Sequence, residues 1–338
     1  MMTTNKHIAV LGAGAWGTAL AVSMYKSGHQ VTLIPRRQEH AEEINNVREN
    51  QRYLKGIRLE PSVNVSTDLS ILKTAEILLW VVPAQHTREM AKTVLPYLPF
   101  DIPIVICSKG IDTHLEIIDE NSLLTSVLAK TLPNPMAILS GPNFAIEVAQ
   151  GLPAAATLAA FSRKLALDLA WTLRHPRFRI YASDDPIGVQ IAGATKNVIA
   201  IACGIVLGKK IGNNANAALI TRGLAEIRRL GMSLGGKIET FLGLAAVGDL
   251  TLTCSSQQSR NMALGMALGS GQKLEEILAG RNTVTEGVHT AEALHKFAIS
   301  EEISMPICQA VYEILYKKRD VEDVINALLS RQSDWEEF

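Results

Sequence analysis

One short glycine loop near the N-terminus constrains the fold of this chain more than any other feature. Gly12, Gly14 and Gly17 form a GxGxxG pattern between the apolar run Ile8–Leu11 and the helix-like segment Trp16–Ser27. In a strand–loop–helix unit the first glycine permits a tight turn, the second lets a phosphate approach the backbone, and the third lets helix and strand pack closely. The helix N-terminus adds N–H donors and partial positive charge. The pattern therefore predicts dinucleotide binding.

The rest of the N-terminal half alternates short apolar runs with helix-like runs. Val31–Ile34, Ile77–Val82 and Ile102–Cys107 are typical of buried strands. Strands that alternate with helices favour a parallel sheet with helices on both faces. Beyond this half, β-branched runs give way to Ala, Leu and Gly at helical spacing. We therefore predict an α/β chain with an N-terminal Rossmann-like doubly wound domain, residues 1–185, and an all-α C-terminal domain, residues 186–338.

The end of the second predicted strand bears on which dinucleotide binds. An Asp or Glu there would bind the ribose 2′-hydroxyl of NAD. This chain instead has Arg36 and Arg37, and its next acidic residue is Glu39. Because two guanidinium groups suit a 2′-phosphate, we predict NADP(H) as the preferred cofactor, with NAD(H) as the second choice. A solvated strand end that carries two arginines is the alternative interpretation.

Lys196 is the strongest candidate for chemistry in the C-terminal half. It lies within Ile191–Cys203, a segment that is apolar on both sides of the lysine. Burial of an ammonium is costly without a partner or a task, and desolvation lowers a lysine pKa toward the range that proton transfer needs. The alternative is a side chain whose ammonium reaches water along an apolar stem.

Three further segments carry polar residues where α/β proteins place ligands. Ser259, Arg260 and Asn261 end a polar run before a helical stretch. Such a run suits a phosphate or another oxyanion, although a hydrophilic surface loop has the same composition. Ser140–Phe144 and Lys109 each follow a predicted strand, and ligands of open parallel sheets bind at the carboxyl ends of the strands.

Composition excludes several classes of function. The 33 Lys and Arg balance 33 Asp and Glu, and a neutral chain argues against nucleic acid as a partner. The four cysteines show no CxxC spacing and the histidines no metal-ligand spacing, so we predict no metal site. The most apolar segment, Val198–Leu207, is half of the about 20 residues that a membrane span needs. The sequence therefore predicts a cytoplasmic protein with no integral membrane segment and no signal peptide.

Several motifs, taken together, resemble those of the bacterial-type NAD(P)-dependent glycerol-3-phosphate dehydrogenases. In chain order they are Gly12–Leu20, Ser108–Ile111, Ser140–Ala145, Gly193–Val198, Ala218–Leu224, Gly248–Cys254, Ser259–Asn261 and Thr285–Val288. The glycine loop is shared with many families, whereas Gly193–Val198 together with Ser259–Asn261 is specific. The resemblance implies reversible hydride transfer between NAD(P)H and dihydroxyacetone phosphate, which gives sn-glycerol 3-phosphate for glycerophospholipid synthesis, and a homodimeric enzyme.

The resemblance also implies a role for each matching residue. Lys196 would be the catalytic acid and base, and Asp249 would hold a substrate hydroxyl or orient Lys196. The implied substrate contacts are Lys109, Gly141, Asn143, Lys196, Asp249, Ser259, Arg260 and Asn261. The implied cofactor contacts are Gly12, Gly14, Ala15, Trp16, Gly17, Arg36, Arg37, Lys109, Ala145, Arg260, Val284 and Glu286.

The chain departs from the family pattern at a few positions. Asn143 replaces a small hydroxyl residue, Ala15 replaces a frequent serine, and Asn216 stands where arginine is often seen. None of these changes touches Lys109, Lys196 or Arg260. Two other functions stay open at this point: a β-hydroxyacid dehydrogenase of similar architecture, and a dinucleotide sensor that has lost its chemistry.

Overall fold

The computed structural model of the protein describes residues 5–114, 120–279 and 286–331. The chain divides into two compact units. The first comprises the described residues of Met1–Ser108 and Leu124–Pro186, and the second those of Lys109–Leu123 and Ile187–Phe338.

The first unit contains one eight-stranded sheet. Its strands are β1 (His7–Leu11), β2 (Gln30–Ile34), β3 (Asn64–Val65), β4 (Ile77–Trp80), β5 (Ile104–Ile106), β6 (Met136–Ser140), β7 (Ala154–Ala159) and β8 (Phe178–Ser183). Their order in the sheet is β3-β2-β1-β4-β5-β6-β7-β8. The first six follow the 3-2-1-4-5-6 order of the Rossmann fold, and all pairs among them are parallel. The predicted fold class is confirmed.

The far edge of the sheet differs from the predicted all-parallel arrangement. β7 pairs with β6 in antiparallel orientation and with β8 in parallel orientation. The sequence of β7, AAATLA, was not predicted as a strand, because alanine favours helices and disfavours strands. Pairing on both sides and burial of Ala156, Leu158 and Ala159 override that local preference.

Helices of the first unit connect successive strands. They are α1 (Ala15–Lys26), α2 (Gln38–Val47), α3 (Thr87–Val94), α4 (Leu124–Ala129), α5 (Ala145–Gln150) and α6 (Arg163–Leu173). The core of the unit joins strand residues such as Ile8, Val10 and Leu33 to helix residues such as Leu20 and Ile44. α1 buries eight consecutive residues, Gly17 to Met24, so the helix after the glycine loop lies deep in the unit.

Among the residues described, the second unit contains helices and connecting loops but no strand. Its helices are α7 (Pro186–Gly208), α8 (Asn213–Ser233), α9 (Asp249–Ser255), α10 (Arg260–Gly269), α11 (Leu274–Ala279), α12 (Glu286–Ser300), α13 (Pro306–Tyr316) and α14 (Val321–Leu329). One π-helical turn, Leu244–Gly248, leads directly into α9. α7 begins with proline at a position where the missing N–H costs nothing. Its residues form the centre of the core of this unit.

α7 is a long apolar helix that contains Val198–Leu207, the most apolar segment of the sequence. By length and composition it is the one helix among the described residues that could cross a membrane, although Val198–Leu207 alone is too short to do so. Burial explains its composition, because 89% of its most apolar 18-residue window lies inside the protein. A helix that is apolar all round is expected at the centre of a large core.

The spatial division of the chain differs from a single cut between residues 185 and 186. The segment Lys109–Leu123 groups with the second unit although strands of the first unit precede and follow it. Its buried side chains Ile111 and Leu123 belong to the core built around α7. The boundary at 185/186 therefore stays a prediction about the sequence, and Lys109 lies in the same compact unit as Lys196.

Candidate functional site

The glycine loop of the first unit has the geometry that its sequence requires. Gly12 adopts a φ of +115°, and a Cβ there would lie 2.6 Å from the carbonyl oxygen of Val81. The N–H of Gly12 donates to the carbonyl of Ile34 at 3.0 Å, which ties the loop to the end of β2. At Gly14 an added Cβ would meet no atom within 4 Å, so the space beside the backbone is open. α1 begins at Ala15, and its first-turn N–H groups lack helical acceptors.

Buried polar atoms without partners among the described residues lie at the carboxyl ends of the strands, on α1, at the end of β6 and in the loop that follows β6. Trp16 Nε1 on α1, Ser140 Oγ at the end of β6, and both amide atoms of Asn143 have no partner among the described residues. Such atoms are rare in folded proteins and mark places where a ligand or water completes the hydrogen bonds. The residues present therefore fit a bound dinucleotide. Gly141, with a φ of +155°, packs against Ala156, and Ala145 begins α5.

The two candidate arginines are exposed at the end of β2. Arg36 and Arg37 follow Pro35 at the same sheet edge as the glycine loop, since β1 and β2 are parallel and pair Leu11 with Ile34. Arg37 also stands directly before α2. Their position is the one at which a dinucleotide fold recognises the adenosine ribose.

In the second unit, one buried carboxylate joins two lysines. Asp249, the first residue of α9, accepts from Lys196 Nζ through Oδ1 at 2.6 Å and from Lys109 Nζ through Oδ2 at 2.6 Å. The side chain of Lys196 is 8% exposed and that of Asp249 is 2% exposed. The ammonium of Lys196 therefore does not reach along its stem into solvent. Asp249 therefore orients both lysines. This favours its predicted role of orienting Lys196 over that of holding a substrate hydroxyl.

Thr253 completes the surroundings of the Lys196 ammonium. Its hydroxyl accepts from Lys196 Nζ at 2.6 Å and donates to the backbone carbonyl of Asp249 at 2.6 Å. An ammonium has three N–H donors. Among the described residues, Asp249 and Thr253 take two of them, so one remains for a substrate oxygen. A neutral amine held by the same two bonds would direct its lone pair along the third direction.

The environment of Lys196 adjusts its pKa. Burial lowers the pKa of Lys196 from 10.5 to about 8, and the positive charge of Lys109 also lowers it, whereas Asp249 opposes both effects. A group with this pKa populates both protonation states near neutral pH. It can therefore give a proton in one direction of a reaction and take it back in the other.

A chain of amide hydrogen bonds runs through Asn261 in the second unit. Asn261 Nδ2 donates to Asn197 Oδ1 at 3.0 Å, and the N–H of Gly287 donates to Asn261 Oδ1 at 3.1 Å. The chain thus joins α7, α10 and α12. Asn261 is the residue after Arg260, and Gly287 follows Glu286. The amide of Asn261 therefore links the N-terminal ends of α10 and α12 to the middle of α7, a structural role that the resemblance did not imply.

Ser259 and Arg260 mark the beginning of α10. The Ser259 hydroxyl accepts from the N–H of Met262 at 3.3 Å and so acts as the N-cap of this helix. Arg260 is the first helical residue and is exposed. An exposed arginine at a helix N-terminus suits an anionic ligand. The predicted ligand contacts of both residues stay predictions.

The predicted site residues thus form two groups, one in each unit. The first unit holds Gly12, Gly14, Ala15, Trp16, Gly17, Arg36, Arg37, Gly141, Asn143 and Ala145, and the second holds Lys109, Lys196, Asp249, Ser259, Arg260, Asn261 and Glu286. Among the contacts described above, direct hydrogen bonds join Lys109, Asp249 and Lys196. Val284 lies outside the described residues. Within the described part of the chain, no group of His, Cys, Asp and Glu could hold a metal ion.

Sequence reasoning assigned no role to Thr253 or Asn197, although each lies in a motif that it singled out. Thr253 is four residues after Asp249, a spacing that places two side chains on one helix face. This spacing could not be recognised as one helix face from the sequence, because α9 was not predicted as a helix. Asn197 follows Lys196 in a buried apolar helix, where an amide needs partners.

Comparison with known proteins assigns the chain to a family. The family model for the N-terminus of NAD-dependent glycerol-3-phosphate dehydrogenase matches residues 7–166, and the model for its C-terminus matches residues 185–326. The chain is 47% identical over 334 residues to a protein of Parvibaculum lavamentivorans named glycerol-3-phosphate dehydrogenase [NAD(P)+], with 98% of each chain covered.

Solved structures agree with this assignment. The glycerol-3-phosphate dehydrogenase of Coxiella burnetii superposes with a TM-score of 0.91 at 39% identity, covering 97% of this chain and 99% of that one. The yeast enzyme superposes with a TM-score of 0.81 at 26% identity, covering 96% and 99%. With nearly the whole chain matched in sequence and in structure, this protein belongs to the NAD-dependent glycerol-3-phosphate dehydrogenase family.

Proposed function

We propose that the protein catalyses the reversible reduction of dihydroxyacetone phosphate to sn-glycerol 3-phosphate with a nicotinamide dinucleotide. The observation that carries the proposal is the buried Lys196 ammonium, which Asp249 and Thr253 hold with one N–H directed elsewhere. Relatives that cover almost the whole chain carry the name of this activity, and this supports it over the β-hydroxyacid and sensor alternatives. The product would serve glycerophospholipid synthesis.

The second unit would supply the proton and the charge stabilisation of the reaction. A bound nicotinamide dinucleotide supplies the hydride. Negative charge then builds on the carbonyl oxygen, and Lys196 Nζ donates a proton to that oxygen. In the reverse direction the neutral amine of Lys196 accepts the hydroxyl proton. Asp249 keeps Nζ in place through both states, and Lys109 adds a second positive charge beside it.

The remaining site residues keep the roles that were predicted for them. Gly141, Asn143, Ser259, Arg260 and Asn261 would contact the substrate, with Asn261 also tying three helices together. The glycine loop with Ala15 and Trp16, together with Ala145, Lys109, Arg260, Val284 and Glu286, would hold the cofactor. Open space beside Gly14 and the unpartnered buried Trp16 Nε1 support the cofactor contacts of the loop.

We further propose NADP(H) as the preferred cofactor, because Arg36 and Arg37 provide two exposed cations where an NAD-specific site places an acid. Replacement of both by glutamine should lower kcat/KM for NADPH at least about tenfold more than for NADH, since each charged hydrogen bond to a phosphate is worth about 1.5–3 kcal/mol. Arg177→Gln, another exposed arginine of the same unit, serves as the control. Equal losses with both cofactors would contradict a role in 2′-phosphate recognition.

The assembly and location of the protein complete the proposal. We propose a homodimer in the cytoplasm, with sequence domains 1–185 and 186–338. Separate family models for the N-terminus, residues 7–166, and for the C-terminus, residues 185–326, support the two-domain division.

A substrate comparison tests the proposed activity. The wild-type protein should reduce dihydroxyacetone phosphate with saturation kinetics in the presence of NADPH or NADH. An unphosphorylated 3-keto acid such as acetoacetate should not be reduced measurably under the same conditions. Reduction of the keto acid in preference to the phosphate ester would instead favour the β-hydroxyacid dehydrogenase interpretation, and no turnover of either would favour a sensor.

A further inference from the structure

A fully buried asparagine that belongs to none of the predicted sites forms hydrogen bonds with the glycine loop and with α1. Asn50 is 0% exposed and lies in the segment after α2. Its amide nitrogen donates to the carbonyl of Ala13 at 2.9 Å and to the hydroxyl of Thr18 at 2.7 Å. Because both of its donors are used within the loop and α1, the side chain serves the loop itself rather than a ligand.

The Thr18 hydroxyl extends this hydrogen-bond chain to the next peptide unit. It accepts from Asn50 and donates to the carbonyl of Gly14 at 2.9 Å. One amide thus holds the carbonyls of two successive loop residues, Ala13 directly and Gly14 through Thr18. In a trans peptide the carbonyl of one residue and the N–H of the next point in opposite directions. The two bonds therefore direct the N–H of Gly14 away from Asn50 and the N–H of Ala15 away from the Thr18 hydroxyl.

A histidine fixes the orientation of the amide. His40 Nε2 lies 3.0 Å from Asn50 Oδ1, and because that oxygen only accepts, His40 carries its proton on Nε2. The opposite orientation of the amide would place its NH2 group against this N–H and its oxygen against the carbonyl of Ala13. The ring of His40 packs edge-on against Tyr53 at 5.4 Å between centroids. Asn50 thus has a single satisfied arrangement.

We propose that Asn50 is a positioning residue for the pyrophosphate of the dinucleotide. It contacts no ligand, but it holds two loop peptide planes so that their N–H groups are oriented before an anion arrives. An oriented donor loses less entropy on binding than a mobile one. Asn50 should therefore govern dinucleotide affinity and leave proton transfer at Lys196 unaffected. This inference rests on the proposed function only in assuming that the loop binds a dinucleotide.

Asn50→Asp tests the proposal with a side chain of the same shape. A carboxylate cannot donate to the Ala13 carbonyl, and it adds a negative charge behind the loop. Direct fluorescence titration with NADPH and with NADH should show at least about a tenfold higher Kd, the equivalent of one lost hydrogen bond. The KM for dinucleotide should rise in parallel. The kcat at saturating dinucleotide and the KM for dihydroxyacetone phosphate should stay within about threefold of wild type.

Asn45→Asp is the matched control. Asn45 lies on α2 in the same unit and donates to the carbonyl of Val65, outside the glycine loop. Its dinucleotide Kd should stay within about twofold of wild type. The proposal is overturned if Asn50→Asp binds dinucleotide as wild type does, or if Asn45→Asp weakens binding equally.

Thr18→Val keeps the test decisive if Asn50→Asp does not fold. It removes the bond that Thr18 accepts from Asn50 and the bond that Thr18 donates to Gly14, but it leaves the bond from Asn50 to Ala13 in place. It should raise the dinucleotide Kd about threefold with unchanged kcat; an unchanged Kd would contradict the relay. Because the titrations require no turnover, they separate this proposal from the proposed activity. A wild-type protein that binds dinucleotide but reduces no dihydroxyacetone phosphate would refute the activity alone.

Discussion

The proposed proton transfer depends on a single buried lysine, Lys196. The cost of an ammonium in an apolar helix could be read from the residues around Lys196. The partners that offset this cost could not be predicted from the sequence, because Asp249 and Thr253 lie 53 and 57 residues further along the chain. The same holds for Asn50, whose partner Ala13 is 37 residues away. Residue types that need a partner are visible in a sequence, whereas the partner is chosen by the fold.

The pH dependence of turnover should report on Lys196. Its pKa of about 8 means that the protonated form required for ketone reduction is lost as pH rises through about 8. Reduction at saturating substrate should therefore fall across that range, and oxidation of glycerol 3-phosphate should rise. Asp249→Asn removes the charge that raises this pKa, so the midpoint should move to lower pH. Profiles of kcat against pH for the wild type and for Asp249→Asn measure the two midpoints. An unmoved midpoint would contradict the assignment.

At the level of elements, local pattern predicted the long features and missed the short ones. α7 and α8 lie where Ala, Leu and Gly at helical spacing predicted helices, since long apolar or amphipathic segments leave few alternatives. β7 was missed because alanine says little about strands, and α9 because seven residues offer little periodicity. The chemistry depends on one of the missed elements, as α9 carries Asp249 and Thr253.

A buried titratable side chain that the reaction does not use contacts the N-terminal end of α13. Glu226 on α8 is buried and accepts from the N–H groups of Ile307 at 2.7 Å and Cys308 at 3.1 Å, at the beginning of α13. Burial raises the pKa of Glu226 from 4.5 to about 7, and the two backbone bonds only partly oppose this. The native state therefore keeps this proton in a pH range where the unfolded chain has released it.

Glu226→Gln should change how stability depends on pH. Because the folded pKa exceeds the unfolded one, the contribution of Glu226 to stability is lost as pH rises from about 4.5 to about 7. Relative to the glutamine variant, the wild type should lose up to about 3 kcal/mol of unfolding free energy across that range. Urea denaturation at several pH values measures the difference. Glu322→Gln, at a 71% exposed side chain, should show no such trend, and parallel curves for wild type and Glu226→Gln would refute the prediction.

At the level of the whole molecule, zero net charge hides a local concentration of cations. Lys109 and Lys196 share one carboxylate in the second unit, and Arg36 and Arg37 are exposed in the first. Fold class and family could be predicted from motif order along the chain. The grouping of Lys109–Leu123 with the second unit could not, because it depends on where Ile111 and Leu123 find a core.

Lys196→Met gives the most direct test of the proposed chemistry. Methionine preserves the apolar stem but cannot transfer a proton, so kcat for dihydroxyacetone phosphate reduction should fall by at least about 100-fold. The Kd for NADPH should stay within about threefold of wild type, because the glycine loop belongs to the other unit. Lys209→Met, which loses only a surface ion pair with Glu322, should retain wild-type kcat. A folded Lys196→Met protein that keeps most of its dihydroxyacetone phosphate reduction would contradict the assignment of Lys196 as the proton donor.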